Sequence, residues 1–92
     1  MRARAMAIWK FTLPVRAEPT MLAMPIGAQV LSVQTQQEEV RLWALVDPAE
    51  DREERRFLVV ATGQSFDPRG KTYLGTVQTG GGMRVFHIWE IE

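Results

Sequence analysis

Hydrophobic and polar residues alternate along most of this chain, in short stretches divided by proline, glycine and acidic residues. Residues 7–13 (AIWKFTL) place Trp9, Phe11 and Leu13 on one side and Lys10 and Thr12 on the other, the period of two expected of a β-strand. Pro14 then ends the run or restricts it to a sheet edge. Residues 19–27 (PTMLAMPIG) hold two prolines and a glycine, and predict a short extended stretch over 20–24 followed by a turn at Pro25-Ile26-Gly27. Residues 29–36 (QVLSVQTQ) set Leu31 and Val33 on one face and Ser32, Gln34 and Gln36 on the other. Beyond the polar turn Gln37-Glu38-Glu39, residues 40–46 (VRLWALV) are almost continuously apolar, as in a strand covered on both faces. These two runs predict a hairpin.

Residues 47–56 (DPAEDREERR) read as a charged, solubilising loop, with room for one helical turn where Asp47 caps Pro48. Residues 57–62 (FLVVAT) predict a strand stopped by Gly63, and Asp67-Pro68-Arg69-Gly70 predicts a turn. Residues 72–78 (TYLGTVQ) predict a strand interrupted at Gly75, a mark of a bulge or of a close backbone approach. Gly80-Gly81-Gly82 forms a hairpin tip, and residues 83–91 (MRVFHIWEI) form the last strand. No long amphipathic helix and no internal repeat is present. The expectation is an all-β fold: one small domain of six or seven short antiparallel strands, a meander, sandwich or open barrel, with at most one helical turn.

A 92-residue chain without cysteine has a thin stability margin and no disulfide to widen it. With one histidine, His87, metal support is weak as well, which points to self-association. Lys+Arg and Asp+Glu balance at 11 each, unlike the basic excess of proteins that track long nucleic acid. No apolar run has the length of a membrane span, and residues 1–6 (MRARAM) lead into no signal-peptide core. The expected location is cytoplasmic.

Catalytic constellations are absent from this pattern. His87 lies in an alternating strand, where it is expected to pack or hydrogen-bond within the sheet, and neither Ser32 nor Ser65 sits in a nucleophile elbow. The triple glycine lacks the Lys-Ser/Thr of a phosphate loop. An enzyme degrading a nucleotide signal would have to rest on His87 and one carboxylate, with nothing to orient the base. The expectation is therefore no enzyme, no metal and no cofactor, and the remaining inventory suits binding. Trp9, Trp43, Trp89, Phe66 and Tyr73 are flat rings, Arg69, Lys71 and Lys10 are cations for a phosphate, and Gln34, Gln36, Gln64, Thr62 and Thr72 are groups for polar edges. The stretch 62–73 (TGQSFDPRGKTY) concentrates all three kinds in one connection. The ligand-binding candidates are Trp9, Lys10, Trp43, Thr62, Gln64, Arg69, Lys71, Thr72 and Tyr73. Against each stands a plainer role, core packing for the tryptophans and solvation for Arg69.

Several short pieces recur in fixed order: Ile8-Trp9-Lys10-Phe11 with Leu13-Pro14, Met24-Pro25-Ile26-Gly27-Ala28, Val33-Gln34-Thr35-Gln36, Leu42-Trp43-Ala44-Leu45-Val46-Asp47-Pro48, Thr62-Gly63-Gln64, Tyr73-Leu74-Gly75-Thr76-Val77-Gln78 and Val85-Phe86-His87-Ile88-Trp89-Glu90. In this order and spacing the chain resembles a family of small phage-encoded proteins, over nearly its whole length from Ala7. That family is similar to the phage anti-CBASS sponge proteins, which bind cyclic dinucleotide signals without cleaving them, as tetramers, and so blunt a bacterial defence. The resemblance implies a small anionic nucleotide as ligand, a homo-oligomer with the site between subunits, and action in the host cytoplasm. It also implies a start at Met6, with residues 1–5 a flexible leader and 6–92 the β domain. It assigns no contact residues, so the candidates above rest on chemistry. The alternative is a protein–protein inhibitor or phage accessory protein that docks on a host protein through exposed strand edges.

Overall fold

Each alternating run becomes a strand in the computed structural model, which describes residues 5–92; apart from Ala5, the predicted leader at 1–5 lies outside the described residues. The strands are β1 (Ala7–Leu13), β2 (Thr20–Pro25), β3 (Gln29–Gln36), β4 (Glu39–Val46), β5 (Arg52–Ala61), β6 (Lys71–Thr79) and β7 (Arg84–Ile91), with one 3-10 turn at Gly80–Gly82. They form two antiparallel sheets, a three-stranded one in the order β1-β4-β3 and a four-stranded one in the order β2-β5-β7-β6. Among the architectures open to the sequence this is the sandwich. Leu13, Leu42 and Val46 from the first sheet share one core with Met24, Phe57 and Ile88 from the second.

The sheets draw together along β3 and β6, and both strands bulge there. The β6 bulge falls between Tyr73 and Gly75, and a Cβ added at Gly75 would lie 2.5 Å from Val33 Cγ2 on β3. Gly75 therefore marks both a bulge and a close approach. The β3 bulge, between Val30 and Ser32, moves Leu31 out of the alternation. Val30 and Val33 face the core and Leu31 is exposed, so the expected pairing of Leu31 with Val33 on one face is corrected. A period of two survives only where no extra residue is inserted.

The charged segment needs a larger correction. Residues 52–56 are not loop; they extend β5 and pair with β2 from Met21↔Arg56 to Pro25↔Arg52. The connection shrinks to a turn at 47–51, in which Asp47 Oδ1 accepts the Ala49 amide at 3.0 Å. Arg55 shares the inward side of β5 with Phe57. Its guanidinium donates to both oxygens of Glu90 on β7, at 2.6 and 2.8 Å, and to the carbonyl of Ala28 at the entry to β3. Side-chain exposures of 18% and 19% make this a half-buried ion pair at one end of the core, and it holds the Arg55 pKa above the usual arginine value, chiefly through the Glu90 bond. The unbroken run of charges in Arg-Glu-Glu-Arg-Arg hid the strand, because one of its inward positions is filled by a paired cation.

Continuous apolarity also means something different from what 40–46 predicts. On β4 the outward residues Arg41, Trp43 and Leu45 are only half-buried. The strand covered on both faces is β5, where Leu58 and Val60 face away from the core yet are 8% and 2% exposed.

Two substitutions probe these joints. Gly75→Ala is expected to lower unfolding stability by about 1–3 kcal/mol, the usual cost of overpacking, in urea denaturation, and Val33→Ala in the same chain should recover part of the loss. Arg55→Ala should cost about 2–4 kcal/mol, because it strands a half-buried carboxylate and a carbonyl.

Candidate functional site

On the outer face of the four-stranded sheet Leu58 lies across from Trp89 of β7, and the 62–70 connection carries Phe66 onto that indole, with ring centroids 5.1 Å apart. Tyr73 of β6, directly across from Trp89 in the ladder, packs on it from another side at 5.2 Å. Trp89 is thus enclosed by rings, and its indole N–H is buried with no acceptor among the described residues. The ring left open to a ligand is Tyr73, which is 52% exposed.

One row further along the hairpin, Thr76 faces His87. Thr76 Oγ1 lies 2.9 Å from His87 Nδ1 and is also hydrogen-bonded to the Tyr73 hydroxyl. On the other side of the imidazole, Thr62 Oγ1 lies 2.8 Å from Nε2 and donates to the Val85 carbonyl at 3.4 Å. A hydroxyl has one hydrogen. Which way the hydrogens run along Thr62, His87, Thr76 and Tyr73 therefore follows the imidazole tautomer. The histidine is a hydrogen-bonded member of the sheet, as its alternating strand suggests. It fixes the orientation of Tyr73; no carboxylate is bonded to it among the described residues, and no nucleophile is set beside it.

The remaining members of 62–73 build the loop. Asp67 receives the Arg69 guanidinium at 2.9–3.1 Å and the Arg69 amide at 3.0 Å, and these bonds hold its carboxyl below the usual aspartate range. Lys71 Nζ donates to the carbonyl of Asp67 at 2.7 Å and to that of Arg69 at 3.4 Å. Gln64 Oε1 accepts the Ala61 amide at 3.2 Å, and Thr72 donates to Glu92 at 3.0 Å, on the opposite side of β6 from Tyr73. Of the nine candidates, the structure brings Thr62 and Tyr73 together around His87, with Gln64 and Arg69 in the adjoining loop and Lys71 at the start of β6. Thr72 is turned away.

Trp9, Lys10 and Trp43 belong to the other sheet and do not join this cluster. Trp9 faces the core side and lies beneath the Arg52 guanidinium, 4.9 Å from its ring centroid. Lys10 and Trp43 are cross-strand neighbours on the outer face, where Lys10 donates to Gln36 at 2.8 Å. The register places them a whole sandwich away from Tyr73. Residues that the candidate set lacked are Thr76 and His87, with Phe66 and Trp89 as supports. Folding the chain about Gly80–Gly82 pairs residues whose numbers sum to 163, such as Thr76 and His87, so that signal was available.

A groove opens where β5 stops. It has a volume of about 520 Å³, is lined by Ala61, Thr62, Met83, Arg84, Val85 and Phe86, and meets the hydroxyl network at Thr62. No group of metal-ligating side chains occurs among the described residues, and none of their helices is long and apolar enough to cross a membrane.

Residues 5–92 match the model of a family described as a domain of unknown function (DUF7352). No curated protein and no solved structure matches the chain.

Asp67 is expected to titrate below an ordinary aspartate in a carboxyl NMR titration. With its folded-state pKa depressed, whatever loop order the pair confers is present above the unfolded-state value and lost as pH falls through the folded one. An ordinary or raised value would contradict the Arg69 pairing.

Proposed function

The chain belongs to the DUF7352 family, and we propose that this member of it binds and sequesters a small anionic nucleotide, a cyclic dinucleotide in particular, without cleaving it. One observation carries the reading: Tyr73 presents a half-exposed ring whose hydroxyl is tied through Thr76 to His87 and whose flank is braced by Trp89. A ring fixed in place stacks on a planar base with little entropy to lose. Arg69 and Lys71 bring positive charge to the same loop, where Asp67 and two loop carbonyls engage them. The resemblance to the anti-CBASS sponge proteins supports the same ligand class, and would make this a phage protein acting in the host cytoplasm. Because the grooves of one copy are open to solvent, enclosure would come from a second subunit, in a homo-oligomer such as a tetramer.

A second reading has its own observation. Neither β1 nor β2 has a strand on its far side among the described residues, and both edges carry exposed apolar residues, Ile8 and Met21. A host protein could add a strand there.

Titration calorimetry against a panel of cyclic dinucleotides is the test of sequestration, followed by boiling the complex and analysing what is released. Saturable heat and intact ligand are expected. Tyr73→Ala should weaken binding by about 1–3 kcal/mol, the worth of one base–aromatic stack, while Trp43→Phe on the opposite sheet should leave it unchanged. Absence of heat for every member would overturn the reading. So would turnover of ligand in molar excess, and co-purification of a host protein in place of nucleotide would favour strand addition.

A further inference from the structure

The phosphate-binding charge that nucleotide sequestration needs is not where the 62–73 loop suggests. Arg69 is held by Asp67 through three side-chain contacts, and the Lys71 ammonium is taken up by two loop carbonyls. Elsewhere Arg55 pairs with Glu90 and Arg41 with Glu39. Lys10 is bonded to Gln36, and Arg16, Arg52 and Arg56 each donate to a backbone carbonyl. Arg84 is the one cation among the described residues with no hydrogen-bond or ion-pair partner there. It also lines the 520 Å³ groove, together with Thr62, Phe86 and the exposed Met83.

We propose that Arg84 forms the phosphate subsite of a nucleotide ligand in this groove; the assignment rests on the sequestration reading above and relocates its charged contact. Three features favour it. The groove falls within the ~300–1,000 Å³ typical of small-molecule sites. Its walls combine one free guanidinium, which offers a two-pronged fork to a phosphate, with the partly exposed Phe86 ring and the flexible Met83 thioether, which suit a flat base. Thr62 links it to His87 and, through Thr76, to Tyr73, so a ligand in the groove touches the same network that orients Tyr73. A competing carboxylate, Glu38, lines the adjoining groove together with Arg84, and it is already bonded to the Gly80 amide at 2.6 Å. A phosphate is therefore the stronger available partner for Arg84.

The test compares Arg84→Ala, Arg84→Lys and Arg69→Ala with the unaltered chain in calorimetric titrations with the cyclic dinucleotide panel. Arg84 is exposed and unpartnered, so both of its variants should keep the melting temperature of the unaltered chain. Arg84→Ala should weaken binding at least about tenfold, the scale of one lost charge-assisted hydrogen bond. Arg84→Lys should recover only part of the loss, and Arg69→Ala should change the affinity less than about threefold, as weak surface pairs do. Binding by the unaltered chain with an undiminished Arg84→Ala affinity overturns the Arg84 subsite and leaves sequestration standing. Arg69→Ala proving the more damaging variant returns the charge to the loop and also overturns the subsite. Failure of the unaltered chain to bind any panel member removes sequestration and the subsite with it.

Discussion

How closely β3 and β6 approach each other governs the rest of this domain. Seven short strands cannot bury much apolar surface unless the two sheets face each other at van der Waals distance over their whole inner faces. On one side of the sandwich that distance is set by Val33 resting on the backbone of Gly75, where no side chain would fit. Bulges in both strands at this seam add twist where the sheets must turn toward each other. At one end of the core Arg55 does a related job with charge, linking β5, β7 and the entry to β3 through a single guanidinium.

That arrangement has a direct consequence for chemistry. The bulge in β6 falls between Tyr73 and Gly75, so the feature that lets the sheets close also separates Tyr73 from the regular hairpin register that joins Thr76 to His87. Tyr73 reaches back to Thr76 along its own strand and leans on Trp89 across the ladder. The 62–70 connection seals the far side with Phe66 and spends its own charges on its own shape, with Asp67 holding Arg69. Rigidity and neutralised charge come together in this loop, and that is the physical ground for looking for a ligand's phosphate partner at the open end of β5 and β7, where Arg84 is unengaged.

The turn between β3 and β4 illustrates how local cost is met by distant contact. Gln37 and Glu38 both adopt positive φ, of 53° and 64°, without glycine. Such a turn matches the twist of a tight hairpin, and the Glu38 carboxylate is held by the amide of Gly80 from the other sheet. A surface loop and a hairpin tip from opposite layers are thereby tied at one end of the sandwich, near the grooves.

Alternation of side chains was enough to determine the all-β class, the single domain and the position of nearly every strand, because period two is a local property that survives in any sheet. The bulge or close approach at Gly75 was legible for the same reason, since a glycine inside a strand pattern has few other uses. Sequence reading failed where an inward position is occupied by a paired charge, as at Arg55, and where an inserted residue shifts the period, as at Leu31. Only the tertiary structure decided which of Trp9, Trp43, Trp89 and Tyr73 are covered, which cations are already engaged, and that Trp9, Lys10 and Trp43 lie on the sheet opposite to the 62–73 cluster. Those outcomes depend on which strands become neighbours, and strand order is set by long-range packing that no local pattern encodes.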